Sequence, residues 1–262
     1  MSEYYNSIIK ALNKKSYPRV RELTLADSDK AARTLLESFT EDSLAQLLTV
    51  HMKDEQKRAE CEYLMYKAYT RQHILKGVVL GIGELEDRFE TVAIWSHPDS
   101  IEIGLESFAT LMESGYDQLY KAFDSEGRQK VFEGMIPLLH DSSVRIISTD
   151  SRFNDKALFT LVYVGSTASA RGKGNVRSMF NYMFENYVDK WPNSISYLES
   201  SSTINIPIYN KFGFIYKEDI VLGKRFEGAV EGVDFADMNI MIRGNKGHDW
   251  TKDENTYKPS KL

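Results

Sequence analysis

The sequence predicts a mixed α/β fold in which one twisted sheet, with strands running in both directions, is flanked by helices. Three observations lead there. Stretches with the period of a strand alternate with stretches of helical period along most of the chain. The most apolar stretch, 157 to 164 (ALFTLVYV), has the β-branched and aromatic content of a strand buried on both faces, and is expected at the sheet centre. After a glycine-containing loop, Val176, Met179, Phe180, Met183, Phe184 and Tyr187 then fall at i, i+3, i+4, i+7, i+8 and i+11, so a helix packs back on that strand.

The elements follow in order. Arg19 to Leu25 alternates as a first strand, and Asp27 offers an N-cap to a helix over 28–39. Helical spacing resumes with Leu44, Leu47 and Leu48, and again over 54–73. Residues 78–82 and 91–95, separated by the polar turn ELEDRFE, read as an antiparallel pair that Pro98 ends. Ile101, Leu105, Phe108 and Met112, continued by Leu119, Tyr120 and Phe123, predict two or three helices between 101 and 139. Beyond the central unit come a strand at 195–199, a short helix at 206–211, a left-handed stop at Gly213, and strands near 214–222 and 235–243. No repeat or linker interrupts the chain. The expected organisation is an N-terminal extension (1–18), one domain (19–243) with a helical insertion at about 100–143 between the third and fourth strands, and a polar tail (244–262) that is mobile or lightly docked.

Composition excludes several classes. With 42% hydrophobic and 27% charged residues over 262 positions, the chain reads as a soluble globular protein. One cysteine, Cys61, permits no internal disulfide, and no apolar run suits a signal peptide or a span, so a cytoplasmic location without membrane contact is expected. A formal net charge of -5 argues against nucleic acid as a partner. The five histidines form no H-E-x-x-H pair, and no metal is expected.

Against that acidic background, the loop STASARGKGNVR places Arg171, Lys173 and Arg177 with Gly172 and Gly174 just before a helix. A helix N-terminus exposes unpaired N–H groups and the positive end of the macrodipole, and glycine lets an anion reach that backbone. The loop matches neither the Walker nor the G-x-G-x-x-G pattern. On its own it reads more readily as an ordinary glycine turn with solvated basic side chains.

The segment LFTLVYVGSTASARGKGNVRSMF, followed by SYLESSSTINIPIYNKFGF, resembles the acetyl-CoA-binding motifs of the Gcn5-related N-acetyltransferases (GNAT), in the same order. VRELTLADSDKAARTLLESF and TVAIWSHPDS extend the likeness over roughly residues 19 to 243, nearest to the puromycin N-acetyltransferase-like branch. The resemblance implies a GNAT-type fold and coenzyme A as the bound cofactor. Its pyrophosphate would lie on the amides of Gly172, Lys173, Gly174, Asn175, Val176 and Arg177, with Arg171 at the family's Arg/Gln position. The same resemblance implies that the central strand splays from its neighbour, freeing N–H groups at Val164, Gly165 and Ser166 to hold the thioester, with glycine permitting close approach. Val176 departs from the usual Gly or Ala and narrows the approach, while Ser166 and Ala168 replace an apolar residue and a proline.

Acetyl transfer to an amine needs a proton acceptor, a donor to the carbonyl oxygen and a proton for the leaving thiolate. Tyr209 matches the family's general acid; packing on the short helix is its structural alternative. Asn205 is expected to cap that helix, with coenzyme contact secondary. Glu199, at a strand end beside the presumed cleft, is the candidate base, against an ordinary scaffold role. His97 is an alternative base or pocket residue, although a surface turn is the simpler place for it. Phe39 with the acids of FTED, and Trp95, resemble acceptor-pocket walls. The expected function is transfer of an acetyl group from acetyl-CoA to a small-molecule primary amine by direct attack in a ternary complex. The alternatives are a non-catalytic acyl-CoA sensor and a protein N-acetyltransferase. A homodimer is possible.

Overall fold

The computed structural model describes residues 14–256, so part of the expected N-terminal extension and the end of the tail lie outside the described residues. Seven strands form one sheet: β1 (Arg21–Glu22), β2 (Val78–Glu84), β3 (Phe89–Ser96), β4 (Ala157–Ser166), β5 (Ser194–Ser200), β6 (Ile215–Gly223) and β7 (Phe235–Gly244). Their order is β1-β2-β3-β4-β5-β7-β6, so the ALFTLVYV strand is fourth of seven. Among these seven strands only β4 and β5 pair in parallel. Helix α1 (Ser28–Ser38), α2 (Ser43–Thr49) and α3 (Glu55–Lys76) precede β2. Asp54 opens α3 by accepting from the Gln56 and Lys57 amides, a cap worth about 1 kcal/mol. Asp27 does not cap α1 as expected: its carboxylate folds back on Thr24 and Arg21, closing a 3₁₀ turn over Leu25–Asp27.

Alternation along the strands divides the core. Val92 and Ile94 face α1 and α3, while Ala93 and Trp95 face α8 (Asn175–Asn186) on the other side. The insertion lies between β3 and β4: α4 (Phe108–Ser114), α5 (Tyr116–Ala122), and a longer helical run of α6 (Ser125–Arg128), a π-helical stretch (Gln129–Met135) and α7 (Ile136–Ser148). Pro137 has no N–H to give, and the run continues past it by widening, with Ile136 N–H reaching Val131 O. The apolar face read across 101–112 is not buried as one: Ile101 and Phe108 are exposed, and residues 101–106 form turns.

The stretch after Gly244 docks more firmly than its composition suggests. Trp250 is buried edge-on against Phe153 and donates its indole N–H to Ile242 O. Among the described residues no helix is long and apolar enough to cross a membrane, and no three His, Cys, Asp or Glu side chains gather to hold a metal ion.

Candidate active site

The site begins where β4 and β5 part. Their parallel pairing ends at Leu161 and Leu198; beyond it β4 continues only with β3, and β5 only with β7. The cause is a bulge. Leu161 pairs with Trp95 and Tyr163 with Ile94, leaving Val162 as an extra residue that bends β4 away from β5. Thr167 N–H donates to Glu90 O at 2.9 Å, on the β3 side. N–H groups alternate along an extended strand, so those of Ser166 and Val164 face the opened edge and that of Gly165 faces β3. The close approach that Gly165 permits is that of α1: a Cβ there would stand 2.8 Å from Ser38 Cβ.

The glycine loop leads from this opening into α8. Gly172 and Gly174 have φ of 80° and 77°, and nothing lies within 4 Å of where their side chains would be. Ser178 makes the first amide bond of α8, to Gly174 O. Among the described residues no protein group accepts from the amides of Gly172, Gly174, Asn175, Val176 or Arg177. The Lys173 amide is spent on Ala170 O, and its ammonium is held by Glu90 at 2.6 Å. The Asn175 side chain is buried and tied to Glu90, Thr91 and Arg19, so it braces the loop. Val176 packs inward on the α8-side core, leaving the loop's outer face clear. Arg171 stands exposed, and Arg177 lies over the Phe212 ring at 5.4 Å. The arrangement suits an anion held mainly by backbone.

A cavity of about 870 Å³ runs from the strand opening to the helical insertion. Glu199, Tyr209, Asn205, Val164, Phe39 and His97 all line it. Burial pushes the Glu199 carboxyl up from 4.5 to about 7, with the Tyr197 phenol two residues along opposing the rise. Tyr209 stacks on Phe180 of α8 at 6.3 Å and edge-on to Phe214 at 6.0 Å, so one ring ties α9 (Ile206–Asn210) to the helix that carries the anion seat. Burial and then Asp42 raise its phenol, which keeps its proton at neutral pH. Among the described residues no protein atom accepts from that hydroxyl. Asn205 does not cap α9; its backbone is already helical, closing a 3₁₀ turn over Thr203–Asn205.

His97 is buried, not on a surface turn; burial lowers it to about 4, and among the described residues its Nδ1 has no protein partner. Trp95 does not reach the cavity. Alternation sends its ring to the opposite face, against Phe180 and Phe184 at 5.9 and 6.4 Å.

The chain is 32% identical to an uncharacterized N-acetyltransferase of Schizosaccharomyces pombe over 196 residues, 75% of this chain and 74% of the relative. It belongs to the GNAT superfamily of N-acetyltransferases. No family model matches it. Among solved structures that share the fold are Aedes aegypti arylalkylamine N-acetyltransferase 2 (TM-score 0.54, 14% identity) and a Drosophila melanogaster polyamine N-acetyltransferase (TM-score 0.53, 11% identity). Each comparison spans 86% of this chain and 98% of the other.

Several cavity residues of this acetyltransferase escape a reading of its sequence. Asp42 stands there only as one acid of FTED. It caps α2 through the Ala45 amide, accepts from Ser201 Oγ, and is raised by burial. It thereby joins the start of α2 to the loop that leads to Tyr209. Tyr66, Tyr69 and Tyr163 meet edge-to-face at 5.4 to 5.5 Å and pave the floor with Phe39. His73, in α3, sits beside them and is lowered to about 4 by burial. Helical spacing marks Tyr66, Tyr69 and His73, and the strand pattern marks Tyr163, but neither distinguishes a cavity floor from a core.

Proposed function

We propose that this acetyltransferase moves an acetyl group from acetyl-CoA to the primary amine of a small molecule, by direct attack in a ternary complex. The observation that carries the reading is Glu199, a carboxyl held near 7 that faces one cavity with Tyr209, where β4 and β5 open. A general base works best with a pKa close to the operating pH.

The residues present fit acetyl-CoA. Unpaired amides at Gly172 and from Gly174 to Arg177, with open space beside both glycines, suit its pyrophosphate, and the Val164 and Ser166 N–H groups face the opened strand edge where a pantetheine arm would pair. Bound there, it would supply an activated thioester carbonyl. The Val164 N–H is placed to hold a carbonyl oxygen as negative charge develops on it. Glu199 takes a proton from the acceptor nitrogen, directly or through water: the ammonium proton that must leave before attack, or, with an amine already neutral, the proton that nitrogen sheds as the C–N bond forms. Tyr209 Oη donates its proton where a thiolate departs and regains one, through water, from the protons the nitrogen has shed; its raised pKa favours the protonated form. The walled cavity favours a small acceptor over a protein chain, and the amine-acetylating enzymes of similar fold support the same class.

The test is thiol release by the purified protein with acetyl-CoA and a panel of primary amines. Turnover with intersecting initial-rate lines is expected, and Tyr209→Phe should lower kcat by about a hundredfold. Parallel lines with an isolable acetyl-enzyme, or no turnover with any amine, would overturn the proposal.

A further inference from the structure

We infer that the acceptor is an amphiphilic monoamine: one ammonium at the reaction end, and an extended apolar body lying along the helical insertion. The inference rests on the acetyl-transfer reading above and adds to it the chemical class of the substrate.

The cavity changes character along its length. At the strand opening it presents Asp42, Glu199, Ser201 and the Tyr209 hydroxyl, a set suited to one cationic amine. Toward the insertion it presents Phe132, Met135, Ile136 and Leu139. The first two belong to the π-helical stretch that ends just before Pro137, so the widened turn itself forms part of the apolar wall.

The apolar character continues outward. Ile101, Met112, Tyr120 and Val144 line the cavity and are 55%, 37%, 50% and 52% exposed, a rim of large apolar side chains on a water-facing surface. Of the acids on that rim, Asp117 is paired with Lys121 Nζ at 3.0 Å, and Glu106 stands half exposed at the outer edge, away from the inner walls. A second ammonium of a polyamine, or the carboxylate of an amino acid, lying between the two ends would be desolvated among Phe132, Met135, Ile136 and Leu139, none of which can pair with it. An alkyl or arylalkyl body gains from the same walls, and methionines accommodate varied apolar shapes.

The test measures kcat/KM for straight-chain primary amines from propylamine to decylamine, alongside spermidine and glycinamide. Binding of the same amines is followed in parallel by calorimetry. Each added methylene is expected to raise kcat/KM about fourfold until the far end is filled, the factor corresponding to burying one CH₂. Spermidine should fall below an alkylamine of equal length by more than tenfold. Leu139→Trp, which fills the far end, should cut the decylamine to propylamine ratio by at least thirtyfold. A flat length dependence with ready turnover, or a preference for spermidine, overturns the inference and leaves acetyl transfer standing. If no amine is acetylated yet affinity rises with chain length, the apolar body is supported and the acetyl-transfer reading fails.

Discussion

Replacing Glu199 by Gln should cost activity and add stability, and the two effects come from the same burial. Raising this carboxyl from 4.5 to about 7 disfavours its ionised form in the fold by about 3 kcal/mol, at roughly 1.4 kcal/mol for each tenfold change. The side chain faces the cavity and is only partly shielded, so solvent makes that an upper figure. The sign follows from which state ionises first. Below pH 4.5 the carboxyl is protonated folded and unfolded, and nothing is lost. Between 4.5 and about 7 the unfolded chain gives up its proton more readily, and folding stability declines; above 7 the full penalty applies. A neutral carboxamide carries no such penalty. The Glu199→Gln protein should therefore melt several degrees above the parent at pH 8, at about 2–4 °C per kcal/mol for this size, with the gap closing toward pH 4.5. Its turnover should fall by about 10²- to 10⁴-fold. With a weakly basic amine that stays neutral across the range, parent activity should drop tenfold per pH unit below about 7. His97, held near 4, cannot produce that limb. A Glu199→Gln enzyme that keeps the limb, or a melting gap that does not vary with pH, refutes the reasoning.

Two further substitutions probe the framework. Gly174→Val puts a β-branched side chain at φ 77°, costing about 1–3 kcal/mol, and should raise the Kd for coenzyme A measured by calorimetry. Asp150→Asn leaves Arg152 and Lys217 facing a neutral amide, where the native carboxylate sits at 2.6 and 2.7 Å from their nitrogens. Denaturant titration at pH 7 should register a loss of about 3–5 kcal/mol. These cations hold the Asp150 carboxyl well below its ordinary 3.8, so the native contribution is present above that pH and is lost as pH falls further. The gap between the two proteins should accordingly narrow toward pH 2.

Local pattern alone locates the central strand, the glycine loop and the helix after it, because each is written in contiguous spacing: β-branched content in β4, glycines before an amphipathic run in α8. It also indicates an insertion of helices between β3 and β4, though not the π-helical widening that carries the chain past Pro137. What it cannot decide is direction. Alternation states that Ile94 and Trp95 point to opposite faces without saying which face holds the cavity, and Trp95 falls on the closed one.

The sequence by itself determined the order of elements and the superfamily, since both reside in short-range spacing and motif order. Only the tertiary structure decided the chemistry of the site. Glu199 owes its pKa to burial in a cavity that α3, β4 and the insertion also line, Asp42 is linked to the Tyr209 loop through Ser201, and the opened strand edge depends on a bulge at Val162. Desolvation and register are set by residues far apart in the chain, and no window of sequence contains them.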